Sequence, residues 1–219
     1  MIINPIKSTF THQNLHTEAE KNQTKYVSNP FRTDNTSEIS FKAFVKIGEN
    51  NPYKKGYEDI ITDNEGKITN KSKYLVINSP KDLDAISKSP TAFNKYYTLS
   101  CDIDMDGFKI EPIGDSRTPF TGIFDGNGFA VKNLKISSRK NDSGMFGVTE
   151  NAKIKNLKVE NISVSGENDV GTLIGNSLKT EIYDCDINGK VIGRMCIGGL
   201  IGASESSKIE NVKLKMKNC

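Results

Sequence analysis

The sequence predicts an all-β fold built as a solenoid of stacked coils, and three observations carry that reading. First, three stretches superimpose almost without gaps: GMFGVTENAKIKNLKV ending at Val159, GTLIGNSLKTEIYDCDI ending at Ile187, and GGLIGASESSKIENVKL ending at Leu214. Counted from Gly147, Gly175 and Gly202 the register repeats after 28 and then 27 residues, a period that marks stacked supersecondary units. Second, the columns of the repeat are apolar at fixed places. Ile154, Ile182 and Ile209 form one, Leu157, Cys185 and Val212 a second, and Val159, Ile187 and Leu214 a third. Third, the position between the first two columns holds Asn156, Asp184 and Asn211. Asn and Asp accept the left-handed backbone that a corner demands, and stacked Asn side chains can bond up and down as a ladder. A degenerate earlier copy, FDGNGFAVKNLKI, fits the template with Phe124 in the glycine's place, which adds Val131, Asn133, Leu134 and Ile136 to these columns.

Taken from the N-terminus, residues 1–37 are rich in Asn, Thr, Ser, Lys and Gln and predict a flexible polar tail, since such a segment cannot bury enough surface to offset the entropy of ordering it. Residues 38–90 predict a small α/β cap. Within it Ile39 to Ile47 alternates, EDIITDNEGKITN turns at Asp63 to Gly66 as a short hairpin, and Tyr74 to Ile77 reads as a strand. Ser79 then caps a helix with Pro80 at its first position and Asp82 near the positive dipole end, Leu83 and Ile86 facing inward. A lid there would cover the open end of the stack. Residues 91–219 form the β-solenoid. Tyr97, Leu99, Cys101, Ile103 and Met105 alternate as one strand with aspartates on its outer face, and Phe124 to Gly128 reads as a hairpin-like turn. At the far end the chain stops at Cys219 right after a strand, so the last rung is expected to be open, inviting self-association or a continuing chain.

The repeats GMFG, GTLIG and GGLIG with their I-x-N-L/V-x-V/L tails, and the upstream string YTLSCDIDMDGFKIEPIG, resemble the GLUG motif of bacterial surface and secreted proteins, including regions attached to IgA-specific metallopeptidases. The likeness covers about residues 74 to 219. It implies a right-handed parallel β-helix and an extracellular or cell-surface setting. Thr172 and Cys185 depart from the pattern, replacing a glycine and a leucine.

Bulk properties narrow the function. No apolar run approaches the ~18 residues that span a bilayer, so no membrane insertion is expected, and MIINPIKSTFTHQ lacks the apolar stretch of a signal peptide. A cytoplasmic setting therefore stays open beside the surface one. Residues 1–73 hold eleven Lys and Arg against nine Asp and Glu, and the remainder nineteen against eighteen. With Trp absent, that balance does not indicate nucleic acid. Outward positions mix signs (Ala130, Lys153, Glu181, Lys208; Lys132, Lys155, Tyr183, Glu210; Lys135, Lys158, Asp186, Lys213), which reads as a solvated face in preference to a polyanion stripe. Cys101, Cys185, Cys196 and Cys219 show no paired spacing and read as small apolar filler, ahead of a disulfide or metal role.

Candidate chemistry is sparse. Asp102-x-Asp104-x-Asp106-Gly107 opens like a calcium loop, yet the twelfth position is Ile113 where a bidentate Glu belongs. On an extended strand these carboxylates lie ~7 Å apart, too far to share one ion unless the chain bends at Gly107 and brings in Glu111. His12 and His16 have the spacing of a zinc helix without its general-base Glu. The glycine pairs 144/147, 171/175 and 198/202 precede no helix, so an anion cradle fails. Asp184 and Asp186, with Glu167 and Asp169 nearby, are the acids a glycoside-cleaving β-helix would use. With no complete catalytic motif, the sequence favours a non-catalytic, surface-associated module that acts as spacer or as binding surface for a protein or glycan. A polysaccharide lyase or hydrolase is the alternative. No cofactor is implied beyond a calcium ion at Asp102, Asp104 and Asp106.

Overall fold

The computed structural model describes residues 56–217, all within one compact unit, Pro52–Cys219. The expected tail, the first part of the cap, His12, His16 and Cys219 lie outside the described residues. Among the described residues, apart from one α-helix and a single 3-10 turn, the regular elements are strands. They run β1 (Tyr57–Asp59), β2 (Tyr74–Ile77), α1 (Pro80–Ser87), β3 (Tyr96–Leu99), β4 (Ile103–Asp104), β5 (Ile123–Asp125), β6 (Ala130–Lys132), β7 (Lys135–Ser137), β8 (Phe146–Glu150), β9 (Lys153–Lys155) and β10 (Lys158–Ser165). Then follow β11 (Asn168–Gly171), β12 (Ile174–Leu178), β13 (Glu181–Ile192), β14 (Met195–Gly198), β15 (Ile201–Glu205) and β16 (Lys208–Met216).

Each strand pairs in parallel with its counterpart one coil away, the arrangement of a parallel β-solenoid. One wall stacks β1, β2, β3, β5, β9 and the start of β13 and β16. A second runs from β4 through β6 and β10 to the middle of β13, and β8, β12 and β15 form a third. The first wall shows why the period matters. Leu75, Tyr97, Phe124, Ile154, Ile182 and Ile209 lie one above the next. On the second, Ile103, Val131, Val159, Ile187 and Leu214 do the same. These rows fill a shared interior, in which Phe124, Ile154, Val131 and Ile187 are fully buried. A chain whose apolar residues return after 27 or 28 positions buries them only by closing one coil per period, which is why the period decides the architecture.

Four expectations are corrected by the coordinates. The degenerate first copy is offset by one strand: Phe124, not Val131, occupies the Ile154 column, and Val131 sits under Val159. Both placements satisfy an apolar pattern, and pairing with the rung above chooses between them. The alternating run from Tyr97 to Met105 is not one strand, because the chain turns a corner at Ser100–Asp102 and continues as β4 on the next wall. Phe124 to Gly128 is likewise a coil corner, not a hairpin, with Asn127 at φ 50° and Gly128 at φ 81°. Finally α1 sits within the first full coil, between β2 and β3, and β1 continues the stack below it. Its Leu83 and Ile86 are fully buried in the common core. Ser79 is the N-cap, but its hydroxyl donates to Asp82 Oδ2 at 2.9 Å, and the same carboxylate accepts from the Asn78 backbone N–H at 2.9 Å. The turn at Asp63 to Gly66 closes with an antiparallel bridge between Thr62 and Ile68.

Candidate functional site

The coil corners are built from residues with positive φ. Asn156 (φ 50°), Asp184 (φ 54°) and Asn211 (φ 51°) recur at the turn out of the first wall. Their side chains bond across rungs: Asn156 Nδ2 donates to Asp125 Oδ1 at 3.0 Å, and Asn211 Nδ2 donates to Asp184 Oδ1. Asn133 (φ 56°) stands on a different ladder, the next corner along. There it donates to Asp104 Oδ1 at 2.9 Å and accepts from Asn161 Nδ2 at 2.8 Å. Two further corner columns lack a uniform Asn or Asp signature: Asn151, Lys179 and Ser206, and Asp142, Asp169 and Cys196, all with φ near 50°. Lys, Ser and Cys are not corner residues by type, so only their spacing of 27 or 28 residues from one coil to the next, starting from Asn151 and Asp169, could have found them.

Gly147, Gly175 and Gly202 occupy equivalent places in β8, β12 and β15, where the chain passes against a neighbouring segment. A Cβ at Gly175 would lie 2.2 Å from the backbone carbon of Asp142, and one at Gly202 2.3 Å from that of Asp169. At Gly147 the clash is with the Gly114 carbonyl at 2.3 Å. The repeat glycines are therefore spacing elements. Just inside the next corner lies a hydroxyl column without a sequence signature, in which buried Thr180 Oγ1 donates to buried Thr149 Oγ1 at 2.9 Å and buried Ser177 Oγ donates to exposed Ser204 Oγ at 3.0 Å. Cys185 is core filler, its thiol pushed up to about 11 by burial.

Outside, the charged columns pair between rungs. Lys132 meets Asp102 at 2.7 Å, Lys155 meets Asp125 at 2.9 Å, Lys153 meets Glu181 at 2.8 Å, and Lys135 meets Asp106 at 3.6 Å. The three candidate calcium aspartates are thus dispersed among partners of their own. Asp102 takes Lys132 and the Ala130 N–H, Asp104 takes Asn133 and the Asp106 N–H, and Asp106 faces Lys135. The hydrogen bond from Lys132 holds the Asp102 carboxyl below the usual range, and that from Asn133 does the same for Asp104. Among the described residues no group of three His, Cys, Asp or Glu side chains is placed to hold a metal ion.

Of the acids proposed for glycoside cleavage, Asp184 is a ladder acceptor and Glu167 faces Arg194, while the backbone of Asp186 lies in register between Lys158 and Lys213. A shallow cleft of about 160 Å³ lies between the last two rungs, lined by Glu181, Ile182, Tyr183, Lys208 and Glu210. Its Glu181 carboxyl is lowered by the Lys153 hydrogen bond, the opposite of what a general acid needs. At the other end of the same wall Tyr57, Tyr74 and Tyr96 stack outward, with ring centroids 5.2 and 5.1 Å apart and the Lys73 ammonium 4.2 Å above the Tyr96 ring.

Exposure within the apolar rows rises at the last described coil. Ile209 is 48% exposed where Ile182 beneath it is 1% exposed, and Leu214 is 44% exposed above fully buried Ile187. Ile197 repeats the contrast over Val170.

No protein-family model matches the chain. Over 158 residues, 66% of its length, it is 38% identical to halomucin of Haloquadratum walsbyi, of which that stretch is 2%. It is 26% identical over 166 residues to an immunoglobulin A1 protease of Streptococcus sanguinis and 28% identical over 138 residues to one of Streptococcus pneumoniae, covering 8% and 6% of those proteins. A crystal structure provisionally assigned as an immunoglobulin A1 protease from Bacteroides ovatus aligns at 17% identity and TM-score 0.35 over 66% of this chain and 68% of that one, too distant to carry weight. The chain is therefore similar to small parts of very large proteins, and no helix among its described residues is long and apolar enough to cross a membrane.

Proposed function

We propose that this chain is a non-catalytic β-solenoid module, with repeats of the GLUG type, that serves a surface-associated protein as spacer and as adhesin-like binding surface for a protein or glycan. One observation carries this reading: the candidate acid Asp184 and the cleft acid Glu181 bond between rungs, to Asn211 and Lys153, and so hold coils together. What remains outward is a set of regular columns. The wall that runs from Tyr57, Tyr74 and Tyr96 to Tyr183 offers aromatic edges beside ion pairs, a mixture suited to a sugar or a peptide. The likeness to small parts of an immunoglobulin-directed protease and of halomucin supports a setting outside the cell.

A screen of polysaccharides by reducing-end and unsaturated-product assays, run beside a glycan and surface-protein binding array, tests the reading. No cleavage is expected, and any binding should weaken at least threefold in Tyr74→Ala while persisting in Asp184→Asn. Turnover of any polysaccharide that Asp184→Asn or Asp186→Asn abolishes would overturn it.

A further inference from the structure

Columns drawn from the sequence alone place Lys135 in line with Lys158, Asp186 and Lys213, a row relieved by an acid. Strand pairing undoes that row. Lys158 lies over Ala130, and Lys135 belongs to the wall beyond the Asn133 corner, opposite Ser163. Ser163 in turn lies under Lys190, and an isolated parallel bridge sets Lys109 directly opposite Lys135 from below. The backbone N–H of Lys217 donates to the Gly189 carbonyl at 2.8 Å, which puts Lys217 opposite Lys190. Along the axis the column is therefore Lys109, Lys135, Ser163, Lys190 and Lys217, with its ends four rung spacings or ~19 Å apart.

This wall departs from the pattern of charge on the others. Elsewhere a lysine meets an acid one rung away, as Lys132 does with Asp102, Lys153 with Glu181 and Lys155 with Asp125. Here the outward residues are Lys135 and Ser137 on β7, Ser163 and Ser165 on the last part of β10, and Lys190 and Ile192 on the last part of β13, with no carboxylate among them. Lys109 and Lys190 form no ion pair among the described residues. Two acids stand at the lower end, Asp106 at 3.6 Å from Lys135 and Glu111 at 3.4 Å from Lys140. Like charges set opposite one another destabilise a sheet, so this column costs stability until an anion from outside neutralises it.

We propose that the wall is a binding surface for an acidic polysaccharide, a linear chain of sugars bearing carboxylate or sulfate groups and laid along the axis. Lys109, Lys135 and Lys190 pair with its anions, Lys135 and Lys190 standing two rungs or ~9.6 Å apart. Between and beside them the hydroxyls of Ser163, Ser137 and Ser165, the last donating to Ser137 at 3.2 Å, suit the hydroxyls of the sugar rings. A nucleic acid fits less well, because the outward positions of β7, β10 and β13 on this wall hold no aromatic ring on which a base could stack. The inference extends the binding role proposed above to a second wall with a named ligand, and it uses none of the tyrosine column.

The test measures binding of the full chain, by fluorescence anisotropy at low and high salt, to a heparin oligosaccharide, an oligogalacturonate, a neutral oligosaccharide of the same length and a single-stranded oligothymidylate. At least one acidic oligosaccharide is expected to bind roughly tenfold more tightly than the neutral sugar and the oligothymidylate, and to weaken as salt rises. Lys135→Gln/Lys190→Gln, with the fold checked by circular dichroism, is expected to weaken that binding about fivefold or more and to flatten its salt dependence. Lys81→Gln/Lys208→Gln removes the same charge elsewhere and, like Tyr74→Ala, should leave it within about twofold. Asp106→Asn/Glu111→Gln should tighten it about twofold or more, a gain that misfolding does not produce. Binding of no acidic sugar, equal or tighter binding of the oligothymidylate, equal losses in the two lysine pairs, or no gain on removing the two acids would each overturn the proposal. Because Tyr74→Ala touches only the tyrosine wall, failure of that wall and failure of this one are told apart.

Discussion

A corner asparagine in this stack does two separable things: it takes a backbone conformation that costs most residues ~1–2 kcal/mol, and it ties one rung to the next. Asn156 shows both, with φ 50° and a 3.0 Å bond to Asp125. Asn156→Gly relieves the backbone and loses the bond, for about 1 kcal/mol. Asn156→Ala loses both and is expected to cost ~2–3 kcal/mol. Chemical denaturation of the two variants checks the ordering, and equal losses would mean the backbone term is absent. Gly175 is more stringent, because a methyl group there would meet the Asp142 backbone at 2.2 Å. Gly175→Ala is expected to lower stability by ~3 kcal/mol or more, the upper end of overpacking, with a matching drop in Tm. The glycine is legible in the sequence as a repeat marker. The backbone it avoids belongs to the preceding coil and is not.

Between elements the binding forces are the parallel ladders and the ion pairs laid across them. The β4–β6 contact is held in part by Asp102, which accepts from Lys132 and from the Ala130 N–H. Because these partners lower the Asp102 pKa in the folded state, its contribution is fully present above the unfolded value near pH 4 and is lost as pH falls through the lower folded value. Asp142 works in the opposite sense, since burial raises its pKa and its ionisation opposes folding. Asp102→Asn should therefore lower Tm modestly near neutrality, this being an exposed pair, leave the most acid values unchanged, and so flatten the acid limb of a Tm-against-pH curve. An unaltered acid limb would show that the pair contributes nothing to folding. At this scale the outward mixture of charge is legible in the sequence, but which lysine meets which acid depends on register. The offset of the first copy, which puts Phe124 instead of Val131 under Ile154, is a register choice that hydrophobic pattern alone leaves degenerate.

For the whole molecule the stack makes position along the axis as important as residue type. Ile182 and Ile209 share a column and differ in what lies above them. Ile182→Ala should cost ~2–5 kcal/mol as a core truncation, and Ile209→Ala under about 1 kcal/mol in proportion to the half of its surface still in water. Metal removal is a test on the same scale. With Asp102, Asp104 and Asp106 each engaged by protein groups, EDTA should leave the melting curve unchanged. A fall in Tm reversed by added calcium would show that these side chains rearrange around an ion.

The repeat period and the residue types in its columns were enough to determine that strands stack in coils, that Ile154, Ile182 and Ile209 share an interior row, and that Asn and Asp turn the corner beside them. Those properties follow from local conformational preference and from the need to bury whatever recurs. Only the tertiary structure decided where the irregular first coil joins the stack, that Asn133 belongs to the ladder of Asp104 and Asn161, and that Lys179, Cys196 and Ser206 also turn corners. Each of these depends on the neighbour one coil away, roughly 27 residues distant in sequence and ~4.8 Å distant in space, and no local pattern records that distance.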